Sequence, residues 1–204
     1  MTSQYIANHL LEMNEYLLII QPSVDVTEKV NHIKRDFAAK YECPQAIYSK
    51  PHITLISFIQ LQMNEQRIIG LMKNIIGRHS SIHITINGFG SFPTHTIYAN
   101  IETKNSIVDM VKSLKPIQAL LKIDKEHKPH YITEPHLTIA RKLLPWQYEK
   151  GWLEYSNTTF TAGFMATEVL LLRRNVEGGR YTTAASFKMQ GLGGFNATQA
   201  SLFI

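Results

Sequence analysis

The strongest constraint on the fold is an order of predicted elements that occurs twice along the 204 residues. Each half reads strand, helix, strand, helix, strand. The middle strand of each half opens on a Pro-His-x-Thr tetrad, at 51–54 in the first half and at 135–138 in the second. Such connections are typical of antiparallel sheets with helices packed outside them. We therefore predict an α+β fold of two pseudo-symmetric lobes, each an antiparallel sheet with outer helices, around a central cleft.

The periodicity of the apolar residues gives the bounds of this organisation. A buried strand is predicted at 16–21, and apolar residues at helical spacing predict a helix from Val26 to Tyr41. We predict a single bilobal domain, in which lobe one spans about 14–93 and lobe two spans about 94–190. The remaining residues, 191–204, are a glycine-rich and then apolar tail.

The tetrads carry side chains suited to proton transfer. A strand directs residues i and i+2 to the same face, so His52 lies beside Thr54, and His136 lies beside Thr138. Two such pairs can converge on one small anion, where one histidine accepts a proton and the other donates one. An unperturbed imidazole titrates near pH 6.5, so the neutral and the protonated form are both accessible at about neutral pH. These groups can cleave or form a phosphate ester without a metal.

A third His-x-Thr sequence, from His83 to Thr85, also falls on a predicted strand. It has no preceding proline. In the duplicated order it lies on the strand after the helix, which is not the place that His136 occupies in its own half. We therefore exclude His83 from the pair that shares the anion.

The composition limits the partners and the compartment. Hydrophobic residues make up 44% and charged residues 18%, which is ordinary for a globular protein, and the net charge of +5 favours anionic partners. The only cysteine, Cys43, excludes an internal disulfide and is typical of a reducing compartment. The first residues lack the pattern of a signal peptide, and no apolar run has the length of a membrane span. We expect a cytoplasmic monomer without a membrane partner.

On these residues the chain resembles the two-histidine (2H) phosphoesterase superfamily, and within it the branch of 2′-5′ RNA ligases and RNA 2′,3′-cyclic phosphodiesterases. Beyond the tetrads, the resemblance includes the Gly-Phe-Gly-Ser-Phe-Pro segment at 88–93 and the arginine that ends the second motif, Arg141. It also includes 168–172 with 178–181, which are similar to the closing hairpin of the family. The resemblance extends over roughly residues 14–190.

The resemblance implies a metal-independent phosphoesterase without a cofactor. Its substrates would be RNA ends or small cyclic-phosphate nucleotides, and hydrolysis of a 2′,3′-cyclic phosphate would leave a 2′-phosphate. A 5′-hydroxyl in place of water would give reversible 2′-5′ ligation. Hydrolysis is the expected net reaction, because water is abundant and the sequence has no ATP-binding motif. The segment 103–131 matches the family only loosely, so the choice of substrate stays open.

Several residues outside the tetrads are candidates for substrate binding. Phe89 and Phe92 can stack on a nucleobase, with core packing as the alternative for each. Arg180 and Tyr181 lie on a predicted hairpin that can approach the second tetrad. Arg141 is a further candidate, although simple strand alternation places it on the face of Ile139 and not on that of Thr138.

Two other classes of function compete with this prediction. The first is a module of the same fold that binds a nucleotide or phosphate without turning it over, for which Lys or Arg would serve better than His. The second is a metal-dependent hydrolase, but His127 and His130 have no partner cysteine or carboxylate cluster in the sequence. The pseudo-symmetry of the tetrads leaves open which histidine is the acid and which is the base.

Overall fold

The computed structural model describes residues 12–191, and the predicted tail lies almost entirely outside them. The strands of this part are β1 (Met13–Ile20), β2 (Ile53–Leu61), β3 (Ile82–Phe92), β4 (Thr96–Ile101), β5 (His130–Tyr131), β6 (His136–Arg141), β7 (Thr161–Ala166), β8 (Glu168–Asn175) and β9 (Gly178–Lys188). The α-helices are α1 (Val24–Lys40), α2 (Glu65–Ile76), α3 (Lys104–Ser113), α4 (Gln118–Leu121) and α5 (Pro145–Tyr155).

The strands form one continuous path of hydrogen-bonded neighbours. Their order is β7-β3-β4-β6-β2-β1-β8-β9, with β5 paired to β2 off this path. Each of these pairs is antiparallel. The predicted α+β class, with antiparallel strands and helices packed against them, is confirmed.

The two halves of the sheet meet at a single pair of residues. Ile53 of β2 lies opposite Leu137 of β6, and both side chains are fully buried. On one side of this junction lie β2, β1, β8 and β9, and on the other lie β6, β4, β3 and β7. The junction therefore holds the two tetrads next to each other.

The halves of the sheet do not follow the order of the chain. Strand β3 pairs with β4 and β7, and strand β8 pairs with β1. A boundary near residue 93 thus does not separate the two halves, because each half of the chain contributes strands to the other half of the sheet. The periodicity of a strand determines which of its faces is buried, but it does not identify the strand that pairs with it.

The helices contribute amphipathic faces to the core. Helix α1 buries Val26, Val30, Lys34 and Phe37 at helical spacing, so a lysine occupies one position of an otherwise apolar stripe. The buried residues of the sheet and helices form a common hydrophobic cluster. Between residues 12 and 191, no helix combines the length and the apolar character needed to cross a membrane.

Candidate active site

The antiparallel junction places the four predicted side chains on one face of the sheet. Ile53 and Leu137 point into the core, and their neighbours along each strand point the opposite way. In this register His52 lies across from Thr138, and Thr54 lies across from His136. All four side chains are partly exposed, whereas the two apolar residues between them are buried. The structure thus brings together the four residues that the tetrads predicted, and their catalytic role stays a prediction.

The two imidazoles are held in the same way. The Nδ1 atom of His52 lies 2.8 Å from the carbonyl oxygen of Lys50, and that of His136 lies 2.8 Å from the carbonyl oxygen of Glu134. A carbonyl can only accept a hydrogen bond, so Nδ1 carries the proton in both rings. Neither Nε2 atom has a hydrogen-bond partner within residues 12–191. Each ring therefore presents Nε2 for proton transfer.

The surroundings of His52 disfavour its protonation. Burial is the largest cause that lowers the pKa of this imidazole, and the hydrogen bond to the Lys50 carbonyl opposes it. The positive charges of Lys34 and Arg141 lower the pKa further, as does the neighbouring His136. The free site is thus electropositive around His52, and the ring itself is neutral at about pH 7.

The surroundings of His136 are of opposite charge. Burial again lowers the pKa of the ring, but the Glu134 carbonyl and the Glu134 carboxylate both raise it. Glu134 also forms an ion pair with Lys104. The residue just before the tetrad is thus acidic, Glu134, at His136 and basic, Lys50, at His52. The pseudo-symmetry of the tetrads does not extend to their electrostatics.

Two aromatic rings support His136. The ring of Phe92 meets the imidazole edge to face with 4.9 Å between centroids, and the ring of Tyr98 lies 5.1 Å away. Phe92 and Tyr98 also contact each other at 4.8 Å. The Tyr98 ring lies over Gly90, where a Cβ atom would come within 2.5 Å of it. A side chain at position 90 would therefore displace the Tyr98 ring.

The two phenylalanines of the 88–93 segment have different places. Phe92 contacts His136, as described above. Phe89 pairs with the buried Ala99 and packs against Tyr155 and Phe160, at 4.9 and 5.7 Å between centroids. These contacts favour the core-packing alternative for Phe89, and stacking of this ring on a nucleobase stays a prediction. The two residues are three positions apart, so a regular strand cannot direct both to one face.

Arg141 lies on the face of Thr138, contrary to the expectation from simple alternation. Thr138 pairs with Tyr98 and Ala140 pairs with Ile97, so Ile139 is an extra residue in β6. This β-bulge restores Arg141 to the site face. Its positive charge lowers the pKa of His52. The same charge opposes the rise in the pKa of Tyr181, which lies on β9.

The hairpin of β8 and β9 carries an arginine, Arg174, beside Tyr181. The guanidinium of Arg174 lies over the ring of Tyr181 at 4.6 Å, and its Nε donates to the Glu15 carboxylate at 2.6 Å. Tyr181 is half-buried, and burial raises its phenol pKa. Arg180 is exposed, and its predicted contact with substrate stays a prediction.

Residues that the sequence reasoning missed are Lys34, Tyr98 and Arg174. A signal for Lys34 was available, since it interrupts the apolar stripe of α1. The pairing of Tyr98 with the second tetrad had no such signal, because it depends on the bulge in β6. Arg174 follows from the pairing of β8 with β1, which the order of the chain does not specify.

The structure also describes the surroundings of His83 and His127, the histidines of the two alternatives. His83 is exposed on β3 and lies across from Met165 of β7, away from the β2–β6 junction. The Nδ1 atom of His127 lies 2.8 Å from the Asp124 carboxylate. Within residues 12–191, no group of three or more His, Cys, Asp or Glu side chains is placed to hold a metal ion.

The sequence matches a family model described as the 2′-5′ RNA ligase superfamily. The match extends over residues 22–178 and contains both tetrads. Among curated proteins, no match is found.

Several solved structures share the fold. The protein TT0787 of Thermus thermophilus superposes with a TM-score of 0.63 at 16% identity, over 87% of this chain and 98% of that one. E. coli LigT in its apo form gives a TM-score of 0.59 at 14% identity, with 87% and 98% covered. E. coli LigT complexed with 3′-AMP gives 0.58 at 14% identity, with the same coverage. At these identities the similarity shows the fold alone.

Proposed function

Since the chain belongs to the 2′-5′ RNA ligase superfamily, we propose that it hydrolyses 2′,3′-cyclic phosphate ends of RNA or small nucleotides to 2′-phosphates. Family membership supports activity of the phosphoesterase or ligase type. The observation that carries the finer proposal is the pair of imidazoles whose Nε2 atoms are free on one face, each beside a threonine hydroxyl.

The reaction needs two proton transfers. The neutral histidine takes a proton from water as the water oxygen attacks phosphorus, and the bond from phosphorus to the ribose 3′ oxygen breaks. The protonated histidine gives its proton to that leaving oxygen. One ring must therefore acquire a proton although burial disfavours it. The negative charge of the bound phosphate favours this protonation, because a nearby anion raises the pKa of an imidazole.

The threonines stabilise the phosphate as the reaction proceeds. The hydroxyls of Thr54 and Thr138 lie on the site face and can donate to the non-bridging oxygens. Negative charge on these oxygens grows in the transition state, so fixed donors accelerate the reaction more than they strengthen ground-state binding. Arg141, on the same face, adds positive charge to this environment.

The same groups support ligation. When a 5′-hydroxyl replaces water, its oxygen attacks the cyclic phosphate, the bond to the 3′ oxygen breaks, and a 2′-5′ linkage forms. The protons move as in hydrolysis, and the reverse reaction follows the same path. Water is present at far higher concentration than RNA ends, so we propose hydrolysis as the net reaction.

A nucleotide ligand is consistent with what is known of the fold. E. coli LigT has been solved in a complex with 3′-AMP. The partly exposed ring of Phe92 beside His136 offers apolar surface at the edge of the site. We therefore propose an RNA end or a small nucleotide as the substrate class.

Hydrolysis in the presence of EDTA tests the proposal. The protein is incubated with an oligonucleotide that ends in a 2′,3′-cyclic phosphate, and the position of the product phosphate is determined. His52→Ala and His136→Ala should each lower turnover roughly 10²- to 10⁴-fold. His83→Ala is the matched control, because it removes the third His-x-Thr histidine, and it should leave turnover unchanged. Binding without product after long incubation would instead support the non-catalytic module.

A further inference from the structure

The buried ammonium of Lys34 has no ionic partner in the described part of the chain. Its side chain is 1% exposed, within the stripe of α1 that otherwise carries apolar residues. Its Nζ donates to the carbonyl oxygen of Ser49 and, at 3.2 Å, to the Ser49 hydroxyl. Within residues 12–191, no carboxylate forms an ion pair with it. A buried charge that faces only neutral acceptors is costly unless something else compensates it.

The charges nearest to Lys34 are of the same sign. The charge of Arg141 lowers the pKa of Lys34, and the charges of Arg141 and Lys34 both lower the pKa of His52. Burial lowers the pKa of Lys34 to about 8, with Arg141 contributing, so the ammonium is still charged at about neutral pH. Two positive charges thus act on His52, and no acid among the described residues compensates them there.

At the second tetrad, the charge of a helix lysine is compensated by a carboxylate. There, Lys104 of α3 forms an ion pair with Glu134, two residues before His136. On the first tetrad, the lysine of the helix instead holds Ser49, three residues before His52. The excess positive charge is therefore on the side of His52, in the free protein.

We propose that Lys34 is a positioning residue whose buried charge also favours an anionic phosphate held between the two tetrads. Its hydrogen bonds fix the Ser49 segment that leads into His52, and its charge is compensated when the phosphate binds. The inference rests on the proposed function in placing a phosphate at this site, and it adds a residue that neither tetrad contains.

A variant pair isolates the charge of Lys34 from a general change in net charge. Lys34→Met removes the buried ammonium while keeping an unbranched side chain. Lys40→Met is the matched control, since Lys40 ends the same helix and pairs there with Glu154. Inorganic phosphate is the probe, and its binding is measured by calorimetry, without any turnover.

Lys34→Met should weaken phosphate binding roughly five- to twentyfold, as expected for the loss of one nearby charge. The same variant should raise the pKa of His52 by roughly 0.5 to 1 pH unit, because a repelling charge is removed. Proton NMR of the imidazole C–H resonances measures this shift. Lys40→Met should change neither quantity. Folded Lys34→Met with the phosphate affinity of the parent would overturn the inference.

A second measurement uses the unchanged protein, in case Lys34→Met does not fold. Carbon-13 labelling of the lysine side chains distinguishes the one that titrates near pH 8 from exposed lysines near about 10.4. Saturation with inorganic phosphate should raise that pKa, because ligand binding and ionisation are linked. An unchanged titration in saturating phosphate would overturn the inference. If phosphate shifts the titration but no cyclic phosphate is hydrolysed, the proposed function fails and this inference stands.

Discussion

Replacing Gly90 by alanine tests whether the Tyr98 ring supports His136. A Cβ atom at position 90 would lie 2.5 Å from Cε2, 2.6 Å from Cζ and 2.7 Å from the hydroxyl oxygen of Tyr98. Carbon atoms in contact are about 3.5 to 4.0 Å apart, so the ring must move by roughly 1 Å. Tyr98 is 7% exposed and packs against Phe92 and His136, so the movement is transmitted to the imidazole.

The magnitude follows from these contacts. Overpacking of this kind lowers the unfolding free energy by about 1 to 3 kcal/mol. A misplacement of about 1 Å in a catalytic group lowers turnover up to roughly 10²-fold. We therefore expect Gly90→Ala to reduce kcat more than it changes KM, because the imidazole is displaced while the threonine hydroxyls stay in place.

The assays are urea unfolding and steady-state hydrolysis of a cyclic phosphate, with Gly70→Ala as the control. Gly70 lies in α2 with nothing within 4 Å of the added carbon, so alanine there should stabilise by about 0.5 to 1 kcal/mol. Tyr98→Leu in the Gly90→Ala background should relieve the clash, which appears as non-additive unfolding free energies. Gly90→Ala with the stability and kcat of the parent would refute the role assigned to the ring.

The remaining predictions concern the tetrads and their charges. Thr54→Val and Thr138→Val should each lower kcat roughly 10²- to 10³-fold with little change in the far-ultraviolet circular dichroism, since each removes one hydrogen-bond donor to the transition state. Glu134→Gln should lower the pKa of His136 and leave that of His52 unchanged, as read from imidazole NMR titrations. Both histidines have folded-state pKa values below the ordinary one, so the unfolded chain takes up protons first on acidification. The unfolding free energy should therefore decline as the pH falls below about 6.5, and His52→Ala should lessen the decline in urea titrations.

The chemistry of the site was readable from the sequence because it depends on local patterns. Strand alternation alone places His52 beside Thr54, and the duplicated order separates His136 from the His83 alternative. The preference for antiparallel strands with outer helices also follows from the order of the elements. These features need no knowledge of which strands pair.

Features that depend on strand pairing could not be predicted from the sequence. The bulge at Ile139 moves Arg141 to the site face, and a bulge is a property of two strands in register. The exchange of strands between the halves likewise has no local signature, since β3 and β8 keep the same periodicity whichever strand they join. Phe89 is different, because its spacing from Phe92 already places the two rings on opposite faces.

A double-mutant cycle on the two histidines tests most directly whether both tetrads act on one phosphate. The rate of cyclic-phosphate hydrolysis is measured for His52→Ala, His136→Ala and the double variant in EDTA. Groups that act as a unit are strongly non-additive, so the double variant should be about as slow as either single variant. A single variant with the turnover of the parent would contradict a shared site. So would a double variant whose rate is reduced by the product of the two single-variant factors.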